Sequence, residues 1–505
     1  VTKPACPQKF LVVLPSNLGD VIMATPVLEG LKRKHKDSFV AFFVEEGFDA
    51  GLLTNPWCDS IIGFQRREIR NVLNTGRWRD GRSLLAEITE RISLEQFDVI
   101  LNLSQPNYIS SLVPLFNGKT VVGQQYLREG NHCVGDDWSQ YLYAIPFYRM
   151  GNNLHATDVY RRIAGVKSHR GGCTLTLSAE EKAWARGFLA SRGIDPGDRI
   201  AVFQPGAALP SKCWPPEHFV SLGKLLAADG WNICVTGAPV EQEVAATIAT
   251  RIGTRAVCAA GETSFRQSVA LLSFGQACVT GDTAQMHASA ALGVPTYAIF
   301  GPTNPVETGP YGDGHYVFSG HCPQMPCFKS ECTSQECMKS IAPEIVFGCI
   351  QTGRGPDLPL CNVYRTSCKA DGDFELSPCD PGMHRYFREE DVCLVRNIFD
   401  DRWNCLPGAS ADFAHSVAEL GKWLEMVSDM CNALNRFESL RDPMDIRKFE
   451  QIRRSLSGFA GVGAFCTALL NIRLNSVPLL PPEHAAGRTL DACWKTHKQV
   501  GKAIS

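Results

Sequence analysis

An excess of charge of either sign is the first thing missing from this sequence. Fifty Lys and Arg stand against 52 Asp and Glu in 505 residues, so no overall field draws the chain to nucleic acid or to an acidic membrane surface. A membrane-spanning run is missing as well. The longest uncharged apolar stretch, Phe459 to Ile472, has 14 residues and includes several Gly and a Cys, short of the roughly 20 that cross a bilayer. The opening VTKPACPQKF leads into a strand pattern without a signal-peptide signature, and the expectation is a cytosolic protein.

What is present is the composition of a globular chain, 44% hydrophobic and 20% charged, and it is too long for a single core. Domains of roughly 100 to 200 residues would make three of it. Cysteine is the excess, with 21 residues. Because the cytosol keeps thiols reduced, metal binding is the alternative to disulfide stapling. Cys58, Cys213, Cys234, Cys258 and Cys278 stand singly in apolar surroundings and read as small core residues.

Residues 277–315 organise the rest. They read as a buried strand (Ala277 to Thr280), a turn at Gly281, Asp282 and Thr283, a helix to about Leu292, a stop at Gly293 and a second strand from Thr296 to Phe300. This is one strand-helix-strand unit of a parallel sheet. Its polar residues gather at the carboxyl end of the first strand and on the first helical turn, where unpaired N–H groups and the helix dipole favour a phosphate. Asp282 or Thr283 caps the helix, and His287 lies one turn on. The ordinary alternative is a capped helix with a histidine on its flank.

Along the chain, Phe10 to Leu14 is a strand, Pro15 to Asn17 a turn, and Leu18-Gly19-Asp20 opens a helix with Pro26 inside it, where a proline costs a hydrogen bond and bends the axis. Asp20 is thereby held at the mouth of a strand-helix loop, the rim at which open α/β sheets bind ligands. Strands at Phe39 to Val44, Val99 to Leu103 and Thr120 to Gly123 alternate with helical segments, so residues 1–165 form one doubly wound unit. A Gly- and Ser-rich linker lies around Gly165 to Ser178. The alternation then restarts with strands at Ile200 to Gln204 and Asn232 to Thr236, and with helices at Glu217 to Asp229, Val240 to Arg251 and Phe265 to Phe274. Lys212 follows the first of those strands on a Pro- and Gly-rich loop, a compact positive charge for a diphosphate. Glu241 follows the second, at a helix start, where a carboxylate can accept from a ribose diol. A surface Lys and a first-turn Glu are commonplace; their shared position at strand carboxyl ends is what singles them out.

Together LPSNLGDVIMATPVLEGLK, LHATDVYRR, QPGAALPSKCWP, GAPVEQE and GDTAQMHASAALGVPTYAIFGPTNP resemble, in order and spacing, glycosyltransferase family 9, the ADP-heptose heptosyltransferases. The resemblance covers roughly residues 8–350. It implies an α/β GT-B fold, two facing Rossmann-like domains with the active site between them: residues 1–165 for the acceptor and 166–350 for the nucleotide sugar. It further implies an inverting transfer without a required cofactor. Asp20 is the implied general base, Lys212 with the Asp282-Thr283 turn and Ala284 the diphosphate and sugar site, Glu241 the ribose ligand, and His287 the family's histidine of that helix. The donor it implies is ADP-heptose and the acceptor a lipopolysaccharide-core glycan, at the inner face of the inner membrane. A protein acceptor of the autotransporter type is the alternative, and an inactive sugar-nucleotide-binding module with a metal-dependent tail a third. The chain departs from the family at Leu14-Pro15-Ser16, where Arg is frequent, and at Ala284, where Gly is usual.

Cys322, Cys327, Cys332 and Cys337 recur every five residues, and four thiolates can enclose a tetrahedral Zn or Fe ion. The alternative is free thiols on a surface turn. Residues 351–408 are Cys-rich and poor in regular pattern (Cys361, Cys368, Cys379, Cys393, Cys405 and His384), a candidate for a second metal-stabilised knot. Residues 409–505 read as a helical accessory domain, with Val417, Leu420, Leu424, Met426, Val427, Met430 and Leu434 broadly on one side. Such a domain packs on the enzyme, binds a partner or builds a homo-oligomer.

Overall fold

In the computed structural model, the described residues are 7–379, apart from 128–131, 148, 150–151, 167–171, 196, 323, 354–360 and 370–372, together with 426–427, 495–496 and 498. Two sheets organise them. The first is built from β1 (Lys9–Val13), β2 (Phe39–Glu45), β3 (Ser60–Phe64), β4 (Val99–Asn102), β5 (Thr120–Tyr126) and β6 (His132–Val134), in the order β3-β2-β1-β4-β5-β6. All pair in parallel except β6 on β5. The second contains β7 (Ile200–Gln204), β8 (Asn232–Val235), β9 (Ala256–Cys258), β10 (Ala277–Gly281), β11 (Thr296–Phe300), β12 (Tyr316–Ser319), β13 (Asn362–Cys368) and β14 (Phe374–Pro378). Its order is β14-β13-β12-β11-β10-β7-β8-β9.

The central strands are apolar runs because both faces are covered. FLVV of β1, VAFFV of β2, IAVF of β7 and ACV of β10 are buried throughout, as parallel strands between helix layers require. Four apolar clusters result, one on each face of each sheet. Parallel pairing also brings the carboxyl ends of β1, β7, β8, β10 and β11 to facing rims. There the two halves touch. An added Cβ on Gly19 would stand 2.8 Å from His287 Cδ2, so glycine permits the approach of the first helix to the helix after β10.

Two expectations are corrected. Pro26 does not interrupt a helix: the chain forms one helix, Leu18–Met23, and a second, Thr25–Lys34, with Pro26 in its first turn, where the missing N–H is no loss. Residues 362–368 and 374–378 are not irregular. They form the antiparallel hairpin β13–β14, which extends the second sheet beyond β12. The cysteines of that region serve packing: Cys361 is buried, Cys361, Cys368 and Cys379 are free thiols, and burial pushes Cys361 and Cys368 up to about 12. Cys393, Cys405, His384 and nearly all of residues 409–505, expected to be helical, lie outside the described residues. Among the described residues no helix is long and apolar enough to cross a membrane.

Candidate active site

Asp20 occupies the third position of the helix that follows β1. Ser16 Oγ donates to its Oδ2 at 2.8 Å and Asn17 Nδ2 to the same oxygen at 3.2 Å. No partner among the described residues takes Oδ1. Opposite, the turn after β10 is built as its residues dictate. Thr283 caps the helix Ala284–Ala291 by accepting from the Met286 N–H, and its hydroxyl is 2.9 Å from that of Thr280. Asp282, at the carboxyl end of the strand, receives Lys212 Nζ at 2.7 Å, from a short turn, Pro210–Lys212. Burial pushes the Asp282 carboxyl up, but the charge and hydrogen bond of Lys212, with smaller contributions from His287 and Thr303, together more than reverse this, so its pKa lies below the ordinary carboxylate value.

His287 is 4% exposed. Burial pushes its pKa down to about 4 against the pull of Asp282 and Asp20, which keeps the imidazole neutral at pH 7. Its Nδ1 is buried without a hydrogen-bond partner among the described residues. Glu241 closes the short turn Pro239–Glu241 after β8, just before the helix Gln242–Ile252, and its Oε2 accepts from Ala238 N at 2.7 Å and Gln204 Nε2 at 3.0 Å. Its Oε1 packs on Gly206, where an added Cβ would fall 1.8 Å from that oxygen.

Asp20, Lys212, Glu241, Asp282, Thr283, Ala284 and His287 all line one cavity of about 1000 Å³ between the two sheets. Residues that sequence reasoning did not single out share it: Gln204, Gln285, Arg149, Tyr160 and Glu307. Gln204 ends β7, so the rim rule that found Lys212 also points to it, whereas Glu307 stands in the turn Pro305–Thr308 that follows β11.

The profile of glycosyltransferase family 9 (heptosyltransferase) matches residues 86–338, half of the chain. Lipopolysaccharide heptosyltransferase 2 of Escherichia coli K12 is 37% identical over 324 residues, 60% of this chain and 85% of that protein. The chain belongs to glycosyltransferase family 9. It is a glycosyltransferase with the GT-B fold. Solved structures agree on the fold: a family 9 glycosyltransferase from Veillonella parvula has a TM-score of 0.59 at 23% identity, covering 68% of this chain and 96% of its own. For the Escherichia coli ADP-heptose lipopolysaccharide heptosyltransferase II the TM-score is 0.51 at 20% identity, covering 68% and 97%.

This family 9 chain carries its four evenly spaced cysteines beside the active site. Cys322, Cys327, Cys332 and Cys337 line one small cavity of about 250 Å³ with Ser211, the neighbour of Lys212. Burial pushes Cys337 up to about 11, whereas hydrogen bonds from Ser334 and Gln335 lower Cys332. No group of three or more His, Cys, Asp or Glu among the described residues is placed to hold a metal ion. Of the cysteines read as core, Cys234 and Cys278 are buried, while Cys58, Cys213 and Cys258 are partly exposed.

Proposed function

We propose that this glycosyltransferase moves heptose from ADP-heptose, with inversion, to a sugar of the lipopolysaccharide core, and that Asp20 is its base. The observation that carries the reading is Asp20 itself. One carboxylate oxygen is held by Ser16 and Asn17 and the other has no partner among the described residues, at the wall of a cavity whose far side carries Lys212 and Asp282. As the acceptor hydroxyl attacks the anomeric carbon, its proton passes to Asp20 Oδ1. The bond from that carbon to the diphosphate oxygen breaks, and its electron pair leaves on the diphosphate. Lys212 and the N–H groups opening the helix Ala284–Ala291 meet the developing charge. Glu241 Oε1 is left for the ribose, because Oε2 is already committed. Heptose follows from the family, and the lipopolysaccharide acceptor is carried over from the Escherichia coli relative. That acceptor makes the inner face of the inner membrane the expected workplace.

Asp20→Asn is expected to lower the transfer rate by about 10² to 10⁴-fold, the usual contribution of a general base, with ADP affinity held within about twofold. Transfer at the wild-type rate would refute the assignment. Calorimetry against ADP-heptose and other nucleotide sugars tests the donor: Lys212→Ala is expected to weaken ADP by about tenfold or more. Binding of none of them would favour an inactive module.

The cysteine cavity extends the proposal. Four soft sulfur donors around one cavity are the chemistry of a structural zinc or iron site, but Cys322, Cys327, Cys332 and Cys337 are not gathered as a ligand set in this structure, and a metal there would have to draw them together. Elemental analysis of protein purified without chelator is expected to find about one metal per chain, lost in Cys332→Ser. No stoichiometric metal in wild type leaves these residues as free thiols.

A further inference from the structure

Along the second sheet the loops at the carboxyl ends of neighbouring strands fall into a sequence of tasks. The loop after β8 carries Glu241 for the ribose, that after β7 carries Lys212, and that after β10 carries Asp282 and Thr283, both for the diphosphate. The next strand in the sheet is β11, and its loop runs from Phe300 to the short turn Pro305–Thr308, which carries Glu307. A nucleotide sugar laid along this rim puts its sugar on β11.

We propose that Glu307 binds hydroxyls of the transferred sugar and sets the selectivity of the donor site for them. The inference rests on the nucleotide-sugar reading above and adds the residue that reads the sugar. Glu307 is 9% exposed and lines the main cavity. Its Oε2 accepts from Asn152 Nδ2 at 3.1 Å. Asn152 is itself fixed, its Oδ1 accepting from Tyr141 Oη at 2.7 Å and Leu154 N at 3.2 Å, while Asn304 Nδ2 donates to the Asn152 carbonyl at 2.6 Å. Tyr141, Asn152 and Asn304 are at most 1% exposed. A carboxylate is thus held through one oxygen, and no partner among the described residues takes Oε1.

Two neighbours point the same way. Gln285 Nε2 and Thr308 Oγ1 are buried without hydrogen-bond partners among the described residues, though both residues line the cavity, and a polyol supplies the partners that such buried atoms need. Burial raises the Glu307 carboxyl, Arg149 and Asn152 work against it, and Asp282 and Asp20 add to the rise. All four groups therefore bear on one volume. A carboxylate with a free oxygen is among the strongest protein acceptors for a hydroxyl, and a site built to pair a hydroxyl discriminates strongly against ligands that lack it.

The test compares ADP with ADP-heptose, and ADP-heptose with an ADP-hexose lacking the extra exocyclic carbinol, in wild type, Glu307→Gln and Glu307→Ala, by calorimetry and by kcat/KM. Both variants are expected to bind ADP within about twofold of wild type and to melt like it. Their kcat/KM for ADP-heptose is expected to fall by about tenfold or more, and the preference for heptose over hexose to shrink. Glu307→Gln, which keeps the shape, separates loss of the acceptor oxygen from loss of packing. If the ratio of ADP-heptose to ADP affinity is unchanged in both variants, this inference falls and the donor reading stands. If wild type binds ADP-heptose no better than ADP, both fall.

Discussion

His155 caps the helix Ala156–Ile163 with a ring nitrogen: Nδ1 accepts from Thr157 N at 3.1 Å, so the proton sits on Nε2, 2.9 Å from the Gly309 carbonyl. Protonating Nδ1 would turn that acceptor into a donor facing an N–H. His315 repeats the arrangement, its Nδ1 accepting from Thr296 N at 3.3 Å, and His287 is buried beside Lys212 and Asp282. For all three, burial is the main cause that pushes the pKa from 6.5 down to about 4. The folded-state pKa is below the unfolded one, so between about 4 and 6.5 the unfolded chain binds protons that the folded chain refuses. Stability is then full above pH 6.5 and declines as pH falls through that window, by the order of 3 kcal/mol for one such histidine. Thermal melts are expected to be flat from pH 7 to 8 and to drop steadily below 6.5. His155→Asn, which caps without titrating, is expected to make the drop shallower; an equally steep drop in that variant removes His155 from the account.

Among the elements, the loop Pro205–Ala208 has little freedom to vary, because Gly206 lies against the carboxylate of Glu241. That carboxylate cannot swing aside cheaply while Oε2 is held by Gln204 and by the cap at Ala238. Gly206→Ala is therefore expected to expel Glu241 from its place, cost about 1 kcal/mol for the lost cap and weaken ADP by about tenfold. Unchanged ADP affinity would mean that Glu241 does not hold the nucleotide. Such loops were legible in the sequence for a physical reason. Parallel strands covered on both faces are apolar runs, and Ile200–Gln204 and Thr296–Phe300 could be delimited to the residue, which places the polar residues just after them on the rim. Elements without that contrast were not legible. The hairpin strand NVYRTSC alternates burial with an exposed Arg365, and Ser60–Phe64 is half exposed. Glu307 was missed because it stands in a turn of four residues, and only the neighbouring sheet and Asn152, far away in sequence, give it a role.

At the scale of the molecule, the two halves are tied at a distance from the cavity. Arg162 donates twice to Asp373, at 2.9 and 2.8 Å, and Arg161 pairs with Asp158 and approaches Asp373 at 3.6 Å. Tyr311 Oη donates to Asp158 at 2.7 Å and Phe374 N to its other oxygen at 2.9 Å. Asp158, Arg161 and Arg162 stand on a helix whose apolar side packs in the first half's core, with Val159, Tyr160 and Ile163. Asp373 and Phe374 belong to the hairpin that extends the second sheet, beyond residue 338 where the family match ends. The hairpin therefore works as a strap between the halves. Its central carboxylate is 5% exposed, and removing one side of a buried ion pair strands the other charge, typically at about 3 to 5 kcal/mol. Asp373→Ala is expected to lose that much stability in urea and to split one unfolding transition into two as the halves uncouple, while ADP affinity stays within about twofold because no donor-site residue is touched. A single transition within about 1 kcal/mol of wild type would show that the cavity interface, through Gly19 and His287, couples the halves without the strap.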